Sequence, residues 1–368
     1  MNRGLMGAGG SMMRRLGRMA AAAGTAGGLI ATIAVASPPA AAVPASAIPV
    51  SAVPTFAVPA AAVPASAAAP AATGCSPVGG PLATSPDQAL GFRVGISAAG
   101  TTALASAVYS DNFAGMVKVY ADTAAGWRTQ ATWTEPTGRK AKDFYGEGVA
   151  ATSTTAVVGA PGWPKGEDAG AVYFYGRSGN KWHRESSWFG TKTFEFLGDS
   201  VAISGNEAVV GAPGVNGAQG RAILFVRSGN KWNPTVELIP GGKFKGAMGL
   251  SVAISGSVVV AGDPFHYNHG IAYVFQRKGS TWHFINALLD PTPTVNDHFA
   301  NELGVSGNTI VVGTGYKCNA TGAVYVYGLT KTGWHRQATL KNPHARAGDN
   351  FGWGVAISGS RVLVGAPV

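Results

Sequence analysis

From residue 90 onward, hydrophobic and polar positions alternate in short bursts: VKVY at 117–120, AVYFY at 171–175, AILF at 222–225, AYVF at 272–275 and AVYVY at 323–327. A period of two puts one set of side chains on each face of a strand, so each burst predicts a half-buried β-strand. Gly-Asn and Ser-Gly pairs punctuate the bursts, and these residues supply the positive backbone dihedrals of tight hairpins. Beyond the first 40 positions no stretch of 11 or more residues keeps a helical apolar stripe.

The bursts belong to a longer pattern in which four landmarks recur in fixed order. First comes a large apolar residue followed by a small one: Leu90-Gly91, Tyr145-Gly146, Leu197-Gly198, Met248-Gly249, Phe299-Ala300 and Phe351-Gly352, spaced 51 to 55 residues apart. Second is a hydrophobic strand ending in Gly-Ala-Pro or a variant, at 159–161, 211–213, 262–264, 313–315 and 365–367, with a degenerate copy at 105–107. Third is a glycine before the alternating strand. Fourth is a tryptophan after a tight turn: Trp127, Trp182, Trp232, Trp282 and Trp334. Each unit therefore holds four short strands, and four antiparallel strands repeated about every 50 residues predict propeller blades. A blade buries its faces only against its neighbours. The tryptophans and the VAIS, AVVGAP and VYVY side chains accordingly read as inter-blade packing.

These landmarks resemble the FG-GAP repeat family, which also builds the β-propeller head of integrin α-chains. Leu197-Gly198 and Phe351-Gly352 match its first element, and 159–161, 211–213 and 365–367 its second. The resemblance covers residues 90–368. Integrin-like copies often carry an Asp-rich calcium loop between the first and second strands. Here that connection is SGNE, SGSV, SGNT or SGSR, without clustered carboxylates to replace a cation's hydration shell. The chain is similar to the metal-free bacterial variety, and neither metal nor cofactor is expected. Kelch propellers share the period and the Tyr-then-Trp order, but their doubled glycine is missing.

The fold class expected is therefore all-β: a β-propeller of five full blades plus a half blade over residues 74–368. Residues 345–368 hold only the first two strands of the sixth blade. Residues 76–89, the one candidate to complete it, contain no VYVY-like strand and no tryptophan. The chain thus reads as a fragment of a seven-bladed propeller, with a six-bladed ring closed imperfectly by 76–89 as the rival.

The N-terminal 73 residues have another character. Arg3, Arg14, Arg15 and Arg18 precede a weakly apolar run from Met19 to Ala36 that ends in small residues, the three parts of a secretory signal. Residues 1–36 are assigned to it. Arg14-Arg15 hints at the twin-arginine route, which the next residues fit poorly. Residues 37–73 are nearly all Ala, Pro, Val and Ser. Proline at about every fifth position forbids a stable helix and denies strand ladders their donors, so a disordered spacer is expected. The protein should be secreted, extracellular or wall-associated, with no transmembrane segment after cleavage.

Charge modifies this picture little. The chain carries 28 Lys and Arg against 18 Asp and Glu, a formal +10. Loss of four arginines with the signal leaves +6, scattered over the outer hairpins. Export argues against nucleic acid. An anionic wall polymer is a conceivable partner, and a solvated basic rim is the plainer reading.

Candidate chemistry lies in the second-to-third strand loops, YSDNFA, GWPKGEDA, GVNGAQ, FHYNH and YKCNAT, which differ from blade to blade. Loops on a rigid scaffold carry function. Trp163, Lys165, Phe265, His266, Tyr267, Tyr316 and Lys317 are the candidate binding residues, for an extracellular protein or a glycan. No catalytic residue is assigned. His266 and His269 near Asp263 form too small a set for zinc, and no GxSxG element appears. Asp143, Asp199, Asp297 and Asp349 read as turn-bonding acids at similar places before the first strands. The alternative function is a hydrolase or lyase at the central channel. Carboxylates converging there would favour it, and an uncharged aromatic face would favour binding. Finally, Cys75 and Cys318 are the two cysteines of a chain expected in an oxidising compartment, so a disulfide between them is expected.

Overall fold

The computed structural model describes residues 90–367 except 139–140, 165–166, 216–218 and 242–245. The expected signal sequence at 1–36, the expected spacer at 37–73 and Cys75 lie outside the described residues.

Blade 1 comprises β1 (Val94–Ile96), β2 (Thr102–Ser106), β3 (Val117–Thr123) and β4 (Gly126–Trp133). Blade 2 comprises β5 (Val149–Ala151), β6 (Thr155–Ala160), β7 (Ala171–Ser178) and β8 (Lys181–Phe189). Blade 3 follows with β9 (Val201–Ser204), β10 (Glu207–Ala212), β11 (Arg221–Ser228) and β12 (Lys231–Leu238). Blade 4 has β13 (Ser251–Ser255), β14 (Val258–Asp263), β15 (Ile271–Lys278) and β16 (Thr281–Leu289). Blade 5 has β17 (Glu302–Ser306), β18 (Thr309–Thr314), β19 (Ala323–Thr330) and β20 (Gly333–Leu340). The sixth sheet is the pair β21 (Gly354–Ser358) and β22 (Arg361–Gly365). Every sheet is antiparallel with its strands in sequence order. Each four-stranded blade also shifts register at the same place in its outer hairpin, between Val119/Tyr120, Phe174/Tyr175, Leu224/Phe225, Val274/Phe275 and Val326/Tyr327. Such a bulge bends the strand and deepens its twist.

The core lies between blades. Leu104, Val117 and Val119 of blade 1 pack on Tyr145, Ala156, Val158 and Tyr173. The layer between blades 4 and 5 is built likewise from Val260, Val274, Phe299, Ile310, Val312 and Tyr325. Trp232 and Trp334 are buried, while Trp127, Trp182 and Trp282 are half-buried, so the tryptophans pack against the blades.

Both recurrent motifs are explained by these contacts. A Cβ added to Gly159 would stand 1.8 Å from the Gly198 carbonyl oxygen, and one at Gly211 would stand 1.8 Å from that of Gly249. The glycine of the second landmark is therefore the seat of the next blade's first landmark. Only a residue without a side chain allows that approach. The short SG turns at the opposite edge are also shared. Ser204 Oγ accepts from the Gly256 amide, Ser255 Oγ from Gly307 and Ser306 Oγ from Gly359, at 3.0 to 3.2 Å. Each turn is thus tied to the next blade, a structural reason for their uniformity.

The innermost strands stand side by side around an axial cavity of about 230 Å³, lined by Gly95, Ile96, Val149, Val201, Ile203, Val252, Ile254 and Leu303 among others. These propeller-like blades place the N-terminal end of every innermost strand at the same end of that channel, the end of the variable loops.

Candidate functional site: the channel mouth and its aromatic rim

One residue per blade follows the first landmark: Phe92, Glu147, Asp199, Leu250, Asn301 and Trp353. The landmark's small residue is held by the same amide bond in successive blades, Gly146 N to Gly159 O, Gly198 to Gly211, Gly249 to Gly262, Ala300 to Gly313 and Gly352 to Gly365. The scaffold is constant and only the rim residue changes. Blades 1 and 5 add Arg93 and Glu302 one position further on.

Four of these groups converge. Arg93 Nη1 donates to Glu302 Oε2 at 3.3 Å, and Nη2 lies 3.8 Å from Glu147 Oε1. Burial disfavours the Arg93 charge, but Glu302, Glu147 and Asp199 outweigh it and hold the guanidinium firmly protonated. Asp199 is the remaining carboxyl. Burial and then the neighbouring Glu147 push its pKa up to about 8, against the pull of Arg93. Burial likewise raises Glu147 and Glu302, with Arg93 opposing. At neutral pH the set therefore holds a protonated Asp199 beside the charged Arg93.

Aromatic rings form two strings, one of which starts beside Arg93 at Phe92. Phe92, Tyr109, Phe113 and Phe144 follow one another at centroid separations of 5.3, 5.4 and 5.7 Å. The second runs through Phe265, His298, Tyr316 and Trp353, at 5.1, 4.6 and 5.3 Å. The Tyr109 hydroxyl is buried without a hydrogen-bond partner among the described residues. Burial, with Glu147 adding to it, pushes its pKa up to about 12, so it remains a donor.

The residues expected from the sequence divide between this rim and other places. Phe265 and Tyr316 are brought together through His298, and Tyr267 projects with 76% of its surface exposed. His266 is half-buried, its Nδ1 3.4 Å from Asp263 Oδ2 and from the Tyr273 hydroxyl. Trp163 stands apart, its ring tilted against Phe189 at a centroid separation of 4.4 Å and its Nε1 donating to Thr137 Oγ1 at 3.1 Å. Lys165 lies outside the described residues. Lys317 is turned inward rather than outward. Its Nζ donates to Asp290 Oδ2 at 2.8 Å, Asp297 Oδ2 at 2.9 Å and the Thr292 carbonyl at 2.6 Å. Burial works against its charge, yet those hydrogen bonds hold it well above the usual lysine value. It is a strut of blade 5. Cys318 is exposed in the loop between β18 and β19.

The turn acids require one correction. Asp143, Asp297 and Asp349 are buried before the first landmark of their blades, and Glu195 fills the same slot in blade 3. Glu195 accepts from the Thr191 and Lys192 amides, and Asp349 from that of Arg346. Asp199 lies four residues later, at the rim. In blade 4 the slot is Gly246, and Asp263, the last residue of β14, reaches in to accept from the Ala247 amide at 2.7 Å. The sequence reading aligned acids by proximity alone. Counting back from each Gly or Ala of the first landmark would have separated the turn set from Glu147 and Asp199. The same count would have revealed Arg93, Glu302 and Trp353, which the loop-based choice missed.

Several basic residues of the outer hairpins are committed to neighbouring blades. Arg227 pairs with Glu185, and Arg277 Nη1 is 2.5 Å from Glu207 Oε1. Among the described residues no group of three or more His, Cys, Asp or Glu is placed to hold a metal ion. No helix among them is long and apolar enough to cross a membrane.

No curated protein matches the chain. The family model described as FG-GAP repeat matches residues 127–175 and 334–368, each running from the outermost strand of one blade into the next sheet, so these two segments are similar to the FG-GAP repeat.

Proposed function

We propose that residues 74–368 form a secreted or surface-displayed β-propeller that acts as a binding or adhesion module through its variable face. The carrying observation is the contrast between the two ends of the blades. One end is locked by serine–glycine hydrogen bonds that repeat from blade to blade. The other presents the ring string Phe265, His298, Tyr316 and Trp353 beside variable loops. Aromatic groups with partly wet edges are suited to recognition because they offer large contact area with few rotatable bonds. Partners of this reading are an extracellular protein or a glycan, with an anionic wall polymer as a further case and no nucleic acid. The Ala/Pro stretch serves as the spacer holding the head away from a surface.

The test is an array of glycans, wall polymers and extracellular proteins probed with the exported protein. Binding that weakens on Tyr316→Ala or Trp353→Ala supports the reading, and binding indifferent to both removes it. A hydrolase or lyase at the channel is the second reading, favoured by the convergence of Glu147, Asp199 and Glu302. Turnover of an arrayed polymer that is lost on Glu147→Gln would establish it.

A further inference from the structure

We infer that the channel mouth is a subsite for one hydroxyl-rich sugar residue, built by Arg93, Glu147, Asp199 and Glu302 with the Phe92 ring beside Arg93. The inference rests on the reading of the variable face as a binding face and gives that face its ligand class.

A sugar ring presents adjacent hydroxyls, each both donor and acceptor, around an apolar C–H face. Its recognition calls for planar carboxyl or guanidinium groups in pairs, and for an aromatic ring against the C–H face. Both kinds of group are present. Glu147 and Asp199 accept no hydrogen bond from another described residue, and Arg93 spends one donor on Glu302. Their side chains line an open mouth: Glu147 is 20% exposed, Glu302 26% and Arg93 38%. The buried Tyr109 hydroxyl is a separate sign, a polar atom beside this set without a partner among the described residues. Phe92, next to Arg93, and Trp353, one ring from Tyr316, stand at the same repeat position as Glu147 and Asp199.

A metal fits this set poorly, because the guanidinium occupies the middle of the carboxylates and repels cations. A fully anionic ligand is disfavoured by the surplus of carboxylates over cations. A neutral or amine-bearing sugar meets neither obstacle.

Protonation gives the site a signature. The groups facing Asp199 are Glu147, Arg93 and, further round the mouth, Glu302 and Tyr109. A protonated Asp199 is a donor to a sugar oxygen, and above about pH 8 that donor is lost. Affinity should therefore fall as pH rises through that value.

The test uses the intact mature protein and free glucose, galactose, mannose, N-acetylglucosamine, glucosamine and rhamnose, read by saturation-transfer NMR and calorimetry. At least one sugar should bind at pH 6. Glu302→Gln and Asp199→Leu should each weaken it by about ten-fold, the scale of one hydrogen bond. Asp199→Asn, which keeps an amide donor, should retain affinity and lose the pH dependence. Thermal melts of each variant report folding. No binding by any of the six sugars, or binding unchanged in Asp199→Leu and Glu302→Gln, overturns the inference. If the sugars fail while Trp353→Ala still loses an arrayed protein, the binding-module reading stands without it. If the sugars bind and the array shows no dependence on the aromatic string, the subsite stands alone.

Discussion

Arg93 and Glu302 meet across the channel, with Nη1 of one 3.3 Å from Oε2 of the other, although they are 209 residues apart in blades 1 and 5. A link between sheets that are not neighbours along the chain ties the blades about their axis. Arg93→Met should leave Glu302 and Glu147 facing each other without a cation. Because the arginine is 38% exposed, solvent screens the loss, and about 1 kcal/mol is expected. Thermal melts at low and high salt should show a deficit that shrinks with added salt. Equal melting of variant and parent at low salt would rule the clasp out.

Asp199 should make stability fall with rising pH. Its folded pKa, about 8, lies above the ordinary 3.8, so between those values the native state binds more protons than the unfolded chain. The contribution is fully present below about pH 4 and is lost as pH rises through about 8. Solvent in the channel reduces it to roughly 1–3 kcal/mol. Urea titrations across this range should give a decline for the parent and a flatter profile for Asp199→Asn.

Lys317 should be costly to remove. Lys317→Ala strands Asp290 and Asp297 as buried carboxylates, and breaking a buried pair from one side costs about 3–5 kcal/mol. The pH dependence has the opposite sign here. Asp297 is opposed by burial, but hydrogen bonds from Thr294 and Lys317 hold its pKa below 3.8. Its contribution is present above that value and is lost as pH falls through the depressed one. Acid titration of the unfolding midpoint should show a loss below about pH 4 that Asp297→Asn abolishes.

The landmark glycines should be far less tolerant than the turn glycines. Gly211→Ala sets a Cβ 1.8 Å from a backbone oxygen of the next blade, so the blades must separate. A cost above about 3 kcal/mol is expected, beyond ordinary overpacking. Gly229→Ala meets nothing within 4 Å and suffers only from its φ of +59°, about 1–2 kcal/mol. Chemical denaturation of the two variants side by side checks the order.

Cys318 is exposed on the variable face, within reach of an alkylating reagent. With Cys75 as the expected partner, the protein recovered from an oxidising compartment should take up no alkyl group without reductant and two after reduction. Intact mass decides, and two groups added without reductant would exclude the bridge.

Strand number, blade boundaries and the buried layers were legible in the sequence because they depend on period and on local residue type. Val, Ile, Tyr and Phe at alternate positions dictate a strand wherever Gly-Asn or Ser-Gly turns bound it. The five four-stranded sheets and the final pair occur where that pattern places them. The 51-to-55-residue spacing even carries the inter-blade seams, since Gly211 and Gly249 are tied by the repeat that names them.

What only the tertiary structure decided is where side chains from different repeats meet. Lys317 and Tyr316 are adjacent in one loop, yet Lys317 turns inward because Asp290 and Asp297 offer its charge two carboxylates, while Tyr316 joins His298 and Trp353 at the rim. Arg93, Glu147, Asp199 and Glu302 share only their place one or two positions after the first landmark and come from four repeats. They form one set only because the innermost strands converge on an axis. Electrostatic coupling depends on distance through space, and a linear chain records none of it for residues 209 positions apart.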